Sequence, residues 1–317
     1  MSERDLLEQT ANAIFADHCS VERIDAAVDA GWDPQLWSVL ESSGLTELAL
    51  TEGTLSDAAV VVRLGGYHSA LVPIGEALLV GGWVAQQIGL APGGVHVAGF
   101  VGDRIPYGRL GGALVVDATG EVVETTKVEV EGRNLAREPR DVMASVGERV
   151  GALSAEAQAE LVLRRALVRT VQLAGAAERA LDLTVRYVTE RVQFGRTISK
   201  FQAVQQAVAV MAAEVAVMRA AADAAVDASE RDGVNASRFA VASAKTQASH
   251  CAGEVARIAH QMHGAIGFTY EHQLRLSTTR LWSWRDEGGN EGDWSAVVGR
   301  SVRTAGGEGL WPLIVGS

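Results

Sequence analysis

The hydrophobic positions of the chain follow a helical period at both ends and an alternating period in the middle. Within residues 1–92, apolar side chains recur three and four positions apart, which predicts a helical domain. Asp33 and Pro34 are typical of a helix start, because Asp33 accepts hydrogen bonds from free N–H groups and Pro34 has no N–H to leave unpaired. Further helices are predicted at 58–64 and 74–88, before a break at 91–94.

Residues 93–150 change to short alternating segments, such as Val128 and Val130 between Glu129 and Glu131. The pattern predicts a small β domain. A region of this length is too short for a nucleotide-binding α/β unit, and no G-x-G-x-x-G sequence opens a helix here.

Residues 151–317 return to long helical stripes and predict a four-helix bundle. The first predicted helix spans 155–187. The second, of about 30 residues, begins with a capping box at Ser199 and ends at Gly233. The third is capped by Asn235 and ends at Gly264, and the fourth runs from Thr269 through Trp284. The fold class is therefore α+β and mainly α.

The composition of this 317-residue chain excludes some classes of binding partner. Its formal charge of −11 argues against a nucleic acid, which needs a basic face. The acidic N-terminus is unlike a signal peptide, and no apolar run is long enough for a membrane span. The two cysteines, Cys19 and Cys251, are too few for a disulfide framework or a zinc cluster. We expect a soluble, cytoplasmic protein with buried thiols.

The most informative segment is residues 190–206, where Arg191 and Arg196 flank Phe194 at a break predicted to end a helix at Gly195. A fixed cation beside the N–H groups of a new helix favours an anion, and an aromatic ring favours a flat heterocycle. The alternative is an ordinary turn between bundle helices with solvated arginines.

A second segment, residues 260–270, contains Gly264 and Gly267, which allow close backbone approach, and Gln261, which both donates and accepts hydrogen bonds. His260 and His263 lie three residues apart, but a third ligand at suitable spacing is missing from the sequence around them, so no metal site is expected.

Together, R-x-Q-F-G-R-x-I-x-x-F-Q-x-x-Q from Arg191 and Q-x-H-G-x-x-G from Gln261 resemble the C-terminal domain of flavin-dependent acyl-CoA dehydrogenases. The segments Leu36–Leu50 and Leu64–Tyr67 are similar to the opening domain of that family. The order of domains resembles the family over most of the chain, and the motifs that are specific to it lie within residues 155–287.

The resemblance implies FAD bound across a subunit interface. Arg191 would meet its pyrophosphate. The remaining contacts would come from Gln193, Phe194 and Ile198 along the nucleotide, Gln202 by a hydrogen bond, and Gln261, Gly264 and Ala265 at the adenosine end, approached from the neighbouring chain. Ala265 stands where the family usually has a second glycine.

The implied reaction is α,β-dehydrogenation of an acyl-CoA thioester: a glutamate removes the α-proton and the β-hydrogen leaves as hydride to the flavin. The family commonly places this base in Tyr-Glu-Gly-Thr, and Glu287 matches that position only after a one-residue gap. The other family position, near Arg165 and Ala166, has no carboxylate. A solvated loop carboxylate is the alternative for Glu287.

The middle domain is also shorter than in the family, and the Thr/Ser-rich loop that holds the flavin ring has no counterpart. The chain thus resembles the shortened subunit of α2β2 acyl-CoA dehydrogenases from actinobacterial steroid breakdown, and Arg280–Glu287 is similar to that subset. This implies a full-length acyl-CoA dehydrogenase subunit as partner and an electron-transfer flavoprotein as acceptor. Three alternatives remain: a self-sufficient homo-oligomer with Glu287 as base, a non-catalytic structural subunit, and a flavin-free relative with other CoA-thioester chemistry.

Overall fold

A computed structural model describes residues 2–51, 53–91 and 93–315. The predicted break at 91–94 includes Pro92, which lies outside the described residues, as do Met1 and residues 316–317 at the ends of the predicted domains. The N-terminal helices are α1 Glu3–His18, α2 Val21–Ala27, α3 Pro34–Ser42, α4 Leu55–Tyr67, α5 Ile74–Glu76 and α6 Gly82–Gln87.

The helix starts in this region follow local capping chemistry. The predicted start of α3 is confirmed, because the Asp33 carboxylate accepts from the backbone N–H groups of Gln35 and Leu36. Helix α4 begins earlier than predicted, since Thr54 and Asp57 form a reciprocal capping box. A π-helical turn, Ala77–Gly81, joins α5 to α6, and the sequence pattern did not indicate it.

The β region contains two small sheets. The strands are β1 Val97–Phe100, β2 Arg104–Pro106, β3 Ala113–Val116, β4 Glu121–Thr125, β5 Val128–Val130, β6 Arg140–Met143 and β7 Glu148–Ala152. One sheet has the order β1-β3-β4-β7, with β1 and β3 parallel, and the other has the antiparallel order β2-β6-β5. Strand β7 continues two residues past the predicted boundary at 150.

The C-terminal region is built from long helices and one short hairpin. They are α7 Ala155–Glu190, the strands β8 Val192–Gln193 and β9 Arg196–Thr197, α8 Gln202–Asp232, α9 Arg238–His263, α10 Leu274–Trp284 and α11 Glu291–Val315. The hydrophobic pattern did not predict α11, which kinks at Gly306 and packs on α9.

Three local predictions in this region were wrong. Helix α7 ends at Glu190 rather than at Gly195, since residues 192–197 form the hairpin. Ser199 does not cap α8: it lies in a 3₁₀ turn, Ile198–Lys200, and Phe201 occupies the cap position. Asn235 does not cap α9, because Ser237 holds that position and the Asn235 amide donates to the Glu156 carbonyl.

The fourth predicted helix start of this region, near Thr269, was also too early. Helix α10 begins at Leu274 because a 3₁₀ segment, Gly264–Phe268, and a short turn come first. Of its two tryptophans, Trp284 is buried, while Trp282 is half-buried and its ring stacks on His260 with centroids 5.1 Å apart. Core packing therefore accounts for Trp284.

The N-terminal helices and the bundle share one hydrophobic core. Buried residues of α3 and α4, of β3 and β4, and of α7 and α9 belong to one contiguous cluster. Helices α4 and α7 approach closely because Gly66 and Gly175 lie at their crossing, where a Cβ on either would collide with the backbone of the other helix. None of the helices within the described residues is long and apolar enough to cross a bilayer.

Chain direction brings the two motif segments to the same end of the bundle. Helix α7 ends at Glu190 and α9 ends at His263, while α8 runs back from Gln202. The hairpin after α7 and the 3₁₀ segment after α9 consequently lie at one end, where residues from both can serve one ligand.

Candidate functional site: the hairpin, the Gly264 turn and a buried ion network

The hairpin turns on two residues with positive φ, Phe194 at 52° and Gly195 at 78°. Tight two-residue hairpin turns favour positive φ at both central positions, which suits Gly195 and strains Phe194. Strained residues in folded proteins are concentrated at functional sites. The conformation of Phe194 therefore makes the hairpin a candidate functional site.

The hairpin presents its side chains outward. Residues 191–196 are all exposed, and Phe194 is 91% exposed. The Arg196 guanidinium lies over the ring of Phe201, 4.2 Å from its centroid. With its amide in the orientation that satisfies both groups, the Gln193 oxygen accepts from Arg191 at 2.9 Å. A cation, an amide and an open aromatic face are thus displayed together.

The other predicted contact residues lie at the same end. Ile198 is half-buried in the 3₁₀ turn and Gln202 is exposed as the first residue of α8. Gln261, Gly264 and Ala265 are exposed at the end of α9 and the start of the following 3₁₀ segment. A Cβ built on Gly264 would meet nothing within 4 Å in the described part of the chain, so this turn is open to a ligand.

Ring stacking joins the two segments. Tyr187, one turn before Arg191, stacks on His263 with ring centroids 4.4 Å apart, and His263 directly precedes Gly264. The stack holds the Gln261–Ala265 segment beside the hairpin of the same chain. That this segment reaches the cofactor of a neighbouring chain, as the sequence resemblance implies, stays a prediction. Both segments are therefore placed to contact one ligand.

These residues fit a flavin dinucleotide. The exposed Arg191 guanidinium suits a pyrophosphate, the open face of Phe194 suits a flat ring, and Gln193, Gln202 and Gln261 offer hydrogen bonds to ribityl and ribose hydroxyls. When bound, the flavin would supply the acceptor for hydride. The chain's own residues would hold and orient it.

Glu287 has surroundings that the sequence did not indicate. It is buried rather than solvated, so the alternative of a solvated loop carboxylate was wrong. Its carboxylate lies 2.8 Å from Arg169 and 2.5 Å from Arg140, and the Asn134 amide donates to it at 3.0 Å. Arg169 also pairs with Glu76 at 2.7 Å.

A second pair continues this network. Arg280 lies 3.0 Å from the carboxylate of Glu138, which also accepts from the Trp284 indole at 2.8 Å. The Asn134 amide donates to Glu138 as well, at 2.8 Å, and so connects both carboxylates. Three carboxylates and three guanidiniums thereby form one ion network, which joins the N-terminal region, the β region and the bundle. Its members are Glu76, Glu138, Arg140, Arg169, Arg280 and Glu287.

The network changes the chemistry of Glu287. Burial by itself raises the pKa of its carboxyl, but the charges of Arg169 and Arg140 and the Asn134 hydrogen bond outweigh burial and hold the pKa below the ordinary value. A general base is most effective with a pKa near the working pH. An ionised carboxylate tied to two guanidiniums is a weak proton acceptor.

Little open space remains around Glu287. The cavity that it lines with Glu76, Arg140 and Arg169 has a volume of about 20 Å³. That volume admits a water molecule and is far below the several hundred Å³ of a small-molecule pocket. An acyl chain has no room at this junction as it stands.

One feature of the sequence could have indicated this ion network. Arg169 lies on the apolar face of α7 beside Val168, where a solvated arginine is not expected. Its partner Glu76, and Arg140, which pairs with the same Glu287 carboxylate, belong to other elements, and their positions carry no comparable local signal.

Comparisons with known proteins agree with this architecture. Residues 155–285 match the family model described as acyl-CoA dehydrogenase, C-terminal domain. The chain is 31% identical over 299 residues to acyl-CoA dehydrogenase IpdE2 of Mycolicibacterium smegmatis, covering 86% of this chain and 90% of that protein. The chain belongs to the acyl-CoA dehydrogenase family. The IpdE2 of Mycobacterium tuberculosis is 30% identical over 298 residues, with 86% and 89% coverage.

Solved structures of acyl-CoA dehydrogenases share the fold. The Tcur3481-Tcur3483 steroid ACAD G363A variant superposes with a TM-score of 0.85 at 22% identity, over 95% of this chain and 98% of that one. A chain of the ChsE4-ChsE5 complex from Mycobacterium tuberculosis superposes with a TM-score of 0.81 at 19% identity, over 95% and 97%. The α+β architecture is thus that of the acyl-CoA dehydrogenase family.

Proposed function

We propose that this chain is a subunit of a heteromeric, FAD-dependent acyl-CoA dehydrogenase, in which it supplies cofactor contacts to an active site completed by a full-length partner subunit. The observation that carries the proposal is the outward-facing hairpin at residues 191–196, with Phe194 91% exposed. Side chains that bind a cofactor inside their own chain would face a cleft of that chain. The side chains of this hairpin instead point outward, away from the rest of the chain.

The buried ion network supports the same division of labour. Glu287 stands near the position of the family's base, but Arg140 and Arg169 hold it ionised beside a cavity of about 20 Å³. The base and the acyl pocket are therefore assigned to the partner. In that active site, this chain orients the cofactor through Arg191, Phe194 and the Gly264 turn.

Substrate and acceptor follow from the family. The reaction is α,β-dehydrogenation of an acyl-CoA thioester, and an electron-transfer flavoprotein would take the electrons. One structural neighbour is a steroid ACAD, so a steroid-derived acyl-CoA is the first substrate to test.

The proposal is tested by the flavin content of the chain alone and of the chain co-expressed with an acyl-CoA dehydrogenase encoded beside it. We expect the chain alone to be colourless and the co-purified complex to carry FAD, measured by absorbance after denaturation. Stoichiometric FAD in the lone chain would contradict the need for a partner and favour the self-sufficient homo-oligomer.

Arg191→Ala adds a residue-level test in the complex. We expect lower flavin retention with unchanged assembly, because the pyrophosphate loses its cation. Arg186→Ala is the matched control, since Arg186 is an exposed arginine on the last turns of the same helix. Equal flavin content in both variants would contradict the assigned contact.

A further inference from the structure

Three aromatic side chains form a cluster beneath the Gly264 turn. His263 stacks on Tyr187 at 4.4 Å between centroids with an interplanar angle of 25°, and its edge meets His272 at 4.8 Å. Tyr187 also meets His272 edge-on, at 6.3 Å. Each ring comes from a different segment: α7, α9 and the turn before α10.

Two residues of this cluster, Tyr187 and His263, precede the two cofactor-contact segments along the chain. Tyr187 lies one helical turn before Arg191, and the carbonyl of Tyr187 accepts from the Arg191 N–H at 2.9 Å. His263 is the last residue of α9 and is bonded to Gly264. A shift of one ring against the other would move the hairpin relative to the Gly264 turn.

The hydrogen bonding of His263 fixes its ring. Nδ1 lies 2.8 Å from the Ala259 carbonyl and must donate to it, because a carbonyl oxygen only accepts. In the neutral ring Nε2 then carries no proton, and it is buried without a hydrogen-bond partner among the described residues. The side chain is 3% exposed, so the imidazole is an almost fully enclosed neutral ring.

We infer that Tyr187 and His263 are a positioning pair, whose stack sets the distance between the Arg191–Arg196 hairpin and the Gly264 turn and so aligns both for one cofactor. This inference rests on the proposed function. Neither ring is expected to touch the cofactor, since each acts through the segment that follows it.

Acid should loosen the pair. Burial lowers the pKa of His263, the Ala259 hydrogen bond opposes that effect, and His272 and His260 lower the pKa further. Among the described residues, the rings of Tyr187 and His272 pack against His263, and His260 lies three positions before it on α9. Because the folded state favours the neutral ring, the stack is intact above the ordinary pKa of 6.5 and weakens as the pH falls through the lowered value.

The test measures flavin binding by the intact complex, by fluorescence of released flavin during dilution. We expect Tyr187→Ala and His263→Ala each to weaken flavin retention roughly two- to tenfold, the range that corresponds to one aromatic pair. Tyr187→Phe and His263→Phe keep a stacked ring and should stay within about twofold of the wild type. The double alanine variant should be no weaker than either single variant, because both remove the same contact.

A pH series separates positioning from simple structural loss. As the pH falls below 6.5, the wild-type complex should release flavin more steeply than His263→Phe, since phenylalanine does not titrate. His250→Gln is the matched control, because His250 is an exposed histidine on the same helix, and it should follow the wild type.

Three results would overturn the inference. They are wild-type flavin retention in both alanine variants of the assembled complex, strictly additive losses in the double variant, and identical pH profiles for the wild type and His263→Phe. If Arg191→Ala retains flavin as well, the proposed function itself fails. If only Arg191→Ala loses flavin, the positioning pair alone is wrong.

Discussion

At the scale of single residues, Lys245 shows how an amine is buried inside the bundle. The side chain is fully buried, and its ammonium group donates to the Ser249 hydroxyl at 2.8 Å and to the Arg285 carbonyl at 2.7 Å. It thereby ties α9 to the C-terminal end of α10, two residues before Glu287. Burial, with a smaller effect of Arg169, lowers the pKa of Lys245 to about 7.

A pH series of thermal stability tests this lysine. The folded state disfavours the charged amine, so its stabilising contribution is present above the ordinary pKa of 10.5 and is lost as the pH falls toward about 7. We expect the Tm of Lys245→Met, relative to the wild type, to rise as the pH falls from 10.5 to 7 and to stay level below that. Lys200→Met, an exposed lysine, should show no such trend. A pH-independent Tm difference for Lys245→Met would contradict the lowered pKa.

At the scale of elements, the hairpin carries a conformation that its sequence does not favour. Phe194 adopts a φ of 52°, which asparagine tolerates better than a bulky aromatic residue. Because its ring is 91% exposed, packing within the chain repays little of this strain. The chain has phenylalanine at this position, although a residue that adopts positive φ with less strain would form the same turn.

Phe194→Asn separates the turn from its ligand. We expect the Tm of the lone chain to stay the same or to rise slightly, since backbone strain falls and little packing is lost. Flavin retention by the complex should fall severalfold, since an aromatic contact is removed. Phe268→Asn is a useful comparison, because Phe268 is also exposed but stacks on His260 at 4.0 Å, so its loss should lower the Tm. A large Tm loss for Phe194→Asn would show that the ring supports the fold.

At the scale of the whole molecule, the ion network holds the three regions of the chain together. Glu287 comes from the loop after α10, Arg169 from α7, Arg140 from β6 and Glu76 from α5. Removing one member leaves buried charges unpaired, which typically costs about 3–5 kcal/mol. The network is therefore a structural joint between the β region and the helices.

Glu287→Gln distinguishes this joint from a catalytic base. We expect a clear fall in the Tm of the lone chain, since Arg140 and Arg169 lose their shared carboxylate. Turnover per bound flavin in the assembled complex should stay near the wild-type value. Asp286→Asn, the exposed neighbour, should change neither quantity. A collapse of turnover with flavin retained would return the base to this chain.

Much of the element order could be predicted, because helix periodicity and cap chemistry are local. Asp33 and Pro34 mark the start of α3, and Gly233 marks the end of α8. The errors arose where tertiary contacts compete with local signals. Ser199 has the pattern of a cap, but its hydroxyl pairs with Thr197 in the 3₁₀ turn, and Asn235 reaches across to α7.

The sequence by itself determined that both ends of the chain are helical and that its middle forms β-strands. It also determined the two motif segments, because each of these features depends on neighbours a few residues apart. Only the tertiary structure decided the environment of Glu287 and the meeting of Tyr187 with His263. Asn134 and Glu287 are 153 positions apart, and a charge is neutralised or exposed according to which distant groups the fold brings to it. Burial and pairing of this kind are properties of the assembled core, so no local pattern carries them.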